Sequence, residues 1–313
     1  MLESSESPPP APRVTVIIPT YNWSSVLPYS IGSVLRQSFT DFELLVIGDG
    51  CTDDSESVVA AIPDPRVRWI NLAVGGGHQS APNNEGLRQA RGSIIAYLGH
   101  DDLWLPHHLE VLVAAIDAGG DLVHSIIHMI DTDGNAMRPP AGVRWYEPGL
   151  GLPPSCVAHR RSATDKVGFW GDYRDLPIDP EADLWARMYR AGLKLQRVAR
   201  LTAVKFPASG RKDAYKKKLC IEQQEWTQRI LTHADLEAVE LGKQWVVATQ
   251  KRAAPTRMSV LFQALLQRTK KDSAAWRLLY FIRRVVSLGE LRAPENGTVI
   301  SQMKKFKGLP TGD

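Results

Sequence analysis

Two apolar runs end on acids where a strand would be expected to end on something neutral. FELLVIGD closes at Asp49, and SIIAYLGHDD closes at Asp101 and Asp102. Adjacent carboxylates repel one another and resist burial, so something must compensate them. A hard divalent cation suits carboxylate oxygens, and with few protein ligands it completes its shell with water and substrate phosphates. The pair therefore fits a site for a metal–diphosphate unit. A plainer account makes Asp101 a helix-starting residue and leaves Asp102 solvated. Asp49 before Gly50 is a natural turn residue, but a carboxylate there could also accept the N–H of a nucleobase.

The elements that would position these acids alternate between strand and helix. Strands are expected at residues 14–20, 42–49, 67–73, 93–99 and 121–130. Helices are expected at 24–37, 53–61, 81–91 and 106–118, the last with Pro106 in its first turn. The strands are near-continuous apolar runs rather than alternating ones, the pattern of a mostly parallel sheet covered on both faces by helices. In such an α/β sheet, ligands bind beyond the carboxyl ends of the strands. Thr20-Tyr21-Asn22, Asp49, the glycine turn with His78 and His100-Asp101-Asp102 should then line one crevice. Residues 136–180 read as irregular with one hairpin. A helix resumes at 181–191, and from 213 onward the pattern is helical and basic.

Composition sets the outer limits. The chain has 313 residues, 43% hydrophobic and 23% charged, which suits a soluble domain with additions. No apolar run is long enough for a spanning helix. MLESSESPPPAP lacks the features of a secretory signal, and residues 1–12 read as a disordered lead-in. Cys51, Cys156 and Cys220 have no metal spacing, and a reducing cytoplasm is their simplest home. The net charge of +4 conceals a division. Residues 211–313 hold 20 Lys/Arg against 10 Asp/Glu, while residues 1–210 hold 18 against 24.

VTVIIPTYN at 14–22, SVLRQSFTDFELLVIGDGCTDDS at 33–55 and IIAYLGHDDLWLP at 94–106 resemble the family 2 inverting glycosyltransferases of the GT-A fold. The resemblance covers about residues 13–210. It implies a nucleotide-sugar-binding half at 13–130, an acceptor half at 131–210 and an appended basic helical region at 211–313. It implies that Pro19, Thr20 and Tyr21 line the nucleoside pocket, that Asp49 reads the base (most often uracil) and that His78 lies near base or phosphate. Asp101 matches the acid that holds Mn2+ or Mg2+, with Asp102 supporting it or facing the sugar. Two positions depart from the family pattern. Gly99-His100 stands where an acidic and a small residue are common, and Gly48 replaces a common aspartate.

An inverting transferase needs a base to take the acceptor's hydroxyl proton. DPEADLWARMYRAG at 179–192 resembles the family's acidic segment and implies Glu181 as that base, with Asp183 and then Asp179 as alternatives. Glu181 and Asp183 could instead be first-turn acids favouring the helix dipole. Trp104 could wall the acceptor or pack. His159 and Arg160 could reach the acceptor or diphosphate; the stretch 205–215 reads first as a solvated loop, and could instead form a lid bringing Arg211 or Lys212 to the diphosphate.

The implied partners are a nucleoside-diphosphate sugar and a glycan, lipid-linked or small-molecule acceptor. The basic region, including Lys216-Lys217-Lys218, Arg283-Arg284, Lys304-Lys305 and the amphipathic 276–286, would suit peripheral contact with the inner face of a membrane. It could equally pack on the domain with a solvated basic face. Nucleic acid is not an expected partner, since no recognition motif accompanies the charge. A dinucleotide oxidoreductase is excluded by the absence of G-x-G-x-x-G after the first strand. A non-catalytic nucleotide-sugar binder is the competing reading.

Overall fold

The computed structural model describes residues 10–134, 145–148, 151–208, 211–250 and 306–309. Residues 1–9 of the expected lead-in, the stretch 276–286, Arg283-Arg284 and Lys304-Lys305 lie outside the described residues.

The eight described strands form one sheet: β1 Val14–Thr20, β2 Phe42–Gly48, β3 Val67–Asn71, β4 Ile94–Tyr97, β5 Leu103–Trp104, β6 Leu122–Met129, β7 Val157–Arg160 and β8 Leu195–Lys205. Their order is β3-β2-β1-β4-β7-β6-β8-β5. The first four run parallel. β7 lies antiparallel between β4 and β6, β8 is parallel to β6, and β5 closes the edge antiparallel to β8. The sheet is therefore mixed, with the expected parallel arrangement confined to the first half.

Helices α1 Leu27–Leu35, α2 Ser55–Ala60, α3 Ser80–Gln89 and α4 His108–Asp117 connect the early strands. β2 lies on one side of β1 and β4 on the other. Right-handed crossovers in opposite directions place their helices on opposite faces. The burial agrees, because neighbouring residues that face opposite ways, Ile17 with Ile18 and Leu44 with Leu45, are all 0% exposed. Burial of each such side chain contributes roughly 1.5–3 kcal/mol. α3 comes so close to β1 that a Cβ on Gly86 would lie 2.7 Å from Ile17 Cγ2.

The second half is less regular. α5 Arg161–Val167 and α6 Pro180–Arg190 follow β7, and α7 Ala214–Lys217, α8 Ile221–Thr232 and α9 Leu236–Gln250 follow β8. Trp226 of α8 and Leu236 of α9 join Leu103, Leu105, Ile130, Val204 and Phe206 in a separate apolar cluster under β5 and β8. α8 and the first turn of α9 thus pack against the sheet. No helix among the described residues is long and apolar enough to cross a membrane.

Three strands escape the sequence pattern for physical reasons. β5 is two residues long. β7 is four residues long and pairs with strands distant in sequence rather than forming a local hairpin, and the described part of 136–180 contains no hairpin. β8 (LQRVARLTAVK) carries Arg197 and Arg200 on its half-exposed first part and is buried only over Leu201–Val204, so it lacks a uniform apolar signature.

Because α3 and β1 are in contact at Gly86, Gly86→Ala should destabilise the protein by about 1–3 kcal/mol through overpacking. Urea denaturation would measure this, and an unchanged midpoint would show that the helix can retreat freely.

Candidate functional site

Strand register accounts for the convergence of the acids. Thr20 ends β1 opposite Gly48 of β2, so Asp49 emerges immediately beyond the strand end. Ile17 pairs with Tyr97, which brings His100 level with Thr20. Thr20 joins the two neighbours. Its carbonyl accepts the Asp49 N–H at 2.8 Å, and its hydroxyl bonds His100 Nδ1 at 2.8 Å. This junction lies where the strand order reverses about β1, the usual ligand position in open α/β sheets.

Asp49 organises the glycine turn. Its Oδ1 accepts the Gly76 N–H at 2.6 Å and its Oδ2 the Gly77 N–H at 2.9 Å. Gly48 has little alternative, because a Cβ there would lie 2.4 Å from Asn71 Oδ1 and 2.8 Å from the Trp69 ring. Pro19 and Tyr21 are half-buried at the same strand end. His78 sits on the rim, with its ring 5.2 Å from that of Tyr173 and Nδ1 3.0 Å from Ser80 Oγ.

Beyond β4 the two adjacent aspartates differ sharply. Asp102 is fully buried and saturated: it accepts from Lys205 Nζ at 2.9 Å, Ser155 Oγ at 2.5 Å and the Phe206 N–H at 3.1 Å. Asp101 is 9% exposed, and its carbonyl is held by Gln223 Nε2 at 3.0 Å. Burial raises both aspartates above their ordinary range. The charge of Asp101 adds to the rise at Asp102, and Lys205 opposes it at both. Burial also works against the Lys205 ammonium, but Asp102 and Asp101 outweigh it and hold the proton firmly. His100 has both ring nitrogens engaged, by Thr20 and by Tyr215 Oη at 3.4 Å, and burial pushes it down to about 4. It is a neutral bracing residue.

Gly99 explains the missing first acid of the motif. A Cβ there would lie 2.8 Å from Asp102 Oδ2 and 3.2 Å from Asp101 Oδ1. An acidic side chain would be forced into the two carboxylates already present. Among the described residues, no group of three or more His, Cys, Asp or Glu forms a metal cage. The donor set that fits a divalent cation is the single Asp101 carboxylate, which suits an ion completed by water and diphosphate oxygens.

Glu181 lies in the first turn of α6, after Asp179 and Pro180. Its Oε2 accepts from Gln79 Nε2 at 3.4 Å, linking it to the residue that precedes α3. It also contributes to the field that keeps Lys205 charged. The structure thus brings Asp101, Asp102, Lys205 and Glu181 into one electrostatic neighbourhood.

Four expected contacts are corrected. Trp104 is 1% exposed, stacks on His108 at 4.1 Å and donates Nε1–H to the Ser155 carbonyl, so it is core rather than an acceptor wall. His159 is fully buried, between the Tyr97 hydroxyl at 3.0 Å and the Arg160 carbonyl at 2.8 Å, and burial lowers it to about 4. Asp183 is paired with Arg187 at 2.8 Å, and Arg187 also donates to the carbonyls of Val167, Gly168 and Phe169. Asp183 therefore anchors α6. Arg211 is clamped by Glu222 and the carbonyls of Pro207, Ile130 and Asp131, not held ready as a lid. Lys205 and Ser155 were not anticipated. Lys205 closes an apolar run at a strand end, the same signal that marked Asp49, but its strand went unread.

A parallel half-sheet that gathers acids beyond its carboxyl edge, completed by a mixed second half bearing a further acid, defines a GT-A type nucleotide-sugar fold. Residues 15–166, just under half of the chain, match the model described as glycosyl transferase family 2. An uncharacterized glycosyltransferase of Nostoc sp. is 31% identical over 198 residues, covering 56% of each chain. The UDP-Glc:alpha-D-GlcNAc-diphosphoundecaprenol beta-1,3-glucosyltransferase WfgD of Escherichia coli is 34% identical over 101 residues, 32% of this chain and 40% of that protein. The chain thus spans about half the length of the curated relatives it matches. The crystal structure of S. aureus TarS 1–349 in complex with UDP-GlcNAc superposes with a TM-score of 0.55 at 16% identity, covering 90% of this chain and 93% of that one, a likeness of fold.

The two aspartates should respond oppositely to substitution. Asp102→Ala removes the partner of the part-buried Lys205 and unpairs the buried Ser155 hydroxyl and Phe206 N–H, and should cost about 3 kcal/mol. Asp101→Asn should stabilise the protein at neutral pH. A buried acid whose folded pKa lies above its unfolded value loses stability as pH rises through that interval, and the deficit persists above it. Thermal melts at pH 7 compare the pair, and a destabilised Asp101→Asn would contradict this assignment.

Proposed function

We propose that the chain transfers a sugar, with inversion, from a nucleoside-diphosphate donor, read by Asp49 as a uridine nucleotide, to a hydroxyl of an acceptor. The observation that carries this reading is that Lys205 Nζ pairs with Asp102 Oδ2 at 2.9 Å, directly beside Asp101, and that the charges of Asp101 and Glu181 both reach it. Acids about eighty residues apart in sequence thereby serve one site.

Glu181 takes the acceptor's hydroxyl proton as the acceptor oxygen bonds to the anomeric carbon. The bond from that carbon to the diphosphate breaks, and the nucleoside diphosphate departs. Lys205, fixed by Asp102, places positive charge where the leaving group's charge grows. Asp101 would hold Mn2+ or Mg2+, which when bound supplies further neutralisation of the diphosphate. Asp49 meets the base N–H with its carboxylate. Pro19, Thr20 and Tyr21 border the nucleoside, with His78 on the rim.

A lipid-linked acceptor is favoured by the E. coli relative, whose name includes a diphosphoundecaprenol-linked sugar. The excess of Lys and Arg in residues 211–313 is compatible with work beside an anionic membrane.

A thermal-shift panel of UDP- and GDP-sugars, with and without manganese, tests the donor. One nucleotide sugar should raise the melting temperature, with a manganese-dependent increment that Asp101→Ala removes. No shift from any donor would sink the reading. With the active donor and an acceptor, Glu181→Gln should reduce nucleoside-diphosphate release by about 100-fold or more while leaving donor binding within about twofold. Donor binding without turnover by the wild type would instead identify a non-catalytic binder.

A further inference from the structure

Residues 306–309 reach the acid crevice through the α7 turn. The Phe306 carbonyl accepts the Asp213 N–H at 2.7 Å. Gly308, at φ +78°, lies against Lys216, where a Cβ would stand 2.7 Å from Lys216 Cγ. The same turn carries Tyr215, whose hydroxyl reaches His100 Nε2 and whose ring lies 5.4 Å from Trp23 and 5.7 Å from His100. His100 directly precedes Asp101. A continuous set of contacts therefore runs from residues 306–308 through α7 to the end of β4.

Lys307 lies between these two contacts and is half-buried. Its ammonium lies in the combined field of Lys205, Asp101, Glu181 and Asp179. Those groups include the acid assigned to the diphosphate and the acid assigned to the acceptor. Burial and the like charge of Lys205 lower its affinity for its proton. Two ammonium groups brought together in a partly desolvated crevice favour a dense anion that can accept from both.

We propose that Lys307 is a donor-binding residue whose ammonium meets the diphosphate between Asp101 and Glu181, so that residues 306–309 complete a site that the family-matched stretch does not close by itself. This rests on the nucleoside-diphosphate-sugar reading above, and the experiment separates the two.

The full chain and its Lys307→Met, Lys307→Gln and Lys307→Arg variants are titrated calorimetrically with UDP, GDP, uridine and guanosine, with and without manganese. Lys217→Met, on the exposed side of the same turn, is the control. Lys307→Met and Lys307→Gln should each weaken nucleoside-diphosphate binding about tenfold and nucleoside binding less than twofold, consistent with the loss of one charge-assisted contact. Lys307→Arg should recover most of the affinity, and Lys217→Met should match the wild type. The glutamine variant stands in if the methionine variant does not fold. Unchanged diphosphate binding in the neutral variants would overturn the proposal and leave Lys307 as a counter-charge to the acids. Tighter binding would also overturn it and identify residues 306–309 as a plug. If the wild type binds no nucleoside diphosphate, the donor reading fails first and takes this proposal with it.

Discussion

The ion pair between buried Asp102 and part-buried Lys205 is the interaction on which the site depends. It joins the end of β4's loop to the end of β8, two segments about a hundred residues apart, and so ties the parallel half of the sheet to the mixed half. Ser155, bonded both to Asp102 and to the Gly99 N–H, adds the segment before β7 to the same junction. An ion pair in this position contributes little net stability over an apolar equivalent. What it secures is geometry: a lysine held charged, at a fixed height, beside an acid that faces the crevice.

Division of labour between adjacent acids follows from that arrangement. Asp102 is consumed by structure, which leaves Asp101 as the carboxylate facing the crevice. The same division recurs in α6, where Asp183 is spent on Arg187 and Glu181 is turned toward Gln79 and the crevice. Away from the site, Glu43 is likewise absorbed by Thr15 and Arg91 at the opposite end of the sheet. Where acids cluster in this fold, one tends to brace and another to face the ligand.

Much of this was legible before any coordinates. Continuous apolar runs ending in polar residues marked β1, β2, β4 and β6, and the strand-end rule placed Thr20, Asp49 and His100 on one edge. The pattern failed where pairing is non-local or one-sided. β8 mixes arginines with apolar residues because its first part is half-exposed, and with it Lys205 was lost. Trp104 and His159 were misassigned because sequence gives residue type but not direction. Both are polar-tipped side chains whose polar atoms find partners inside the core. Lys307 gave no local signal, since its placement depends on a turn nearly a hundred residues earlier.

The tight fit at Gly99 bears on how such a site can change over generations. Restoring the fuller acidic motif would require more than one codon change, because a longer residue at 99 collides with Asp102, and moving Asp102 releases Lys205. Intermediates on that route would carry an unmatched buried charge. The one-carboxylate arrangement is therefore a local trap in sequence space, and descendants of this chain should vary the charge of this edge at positions other than 99.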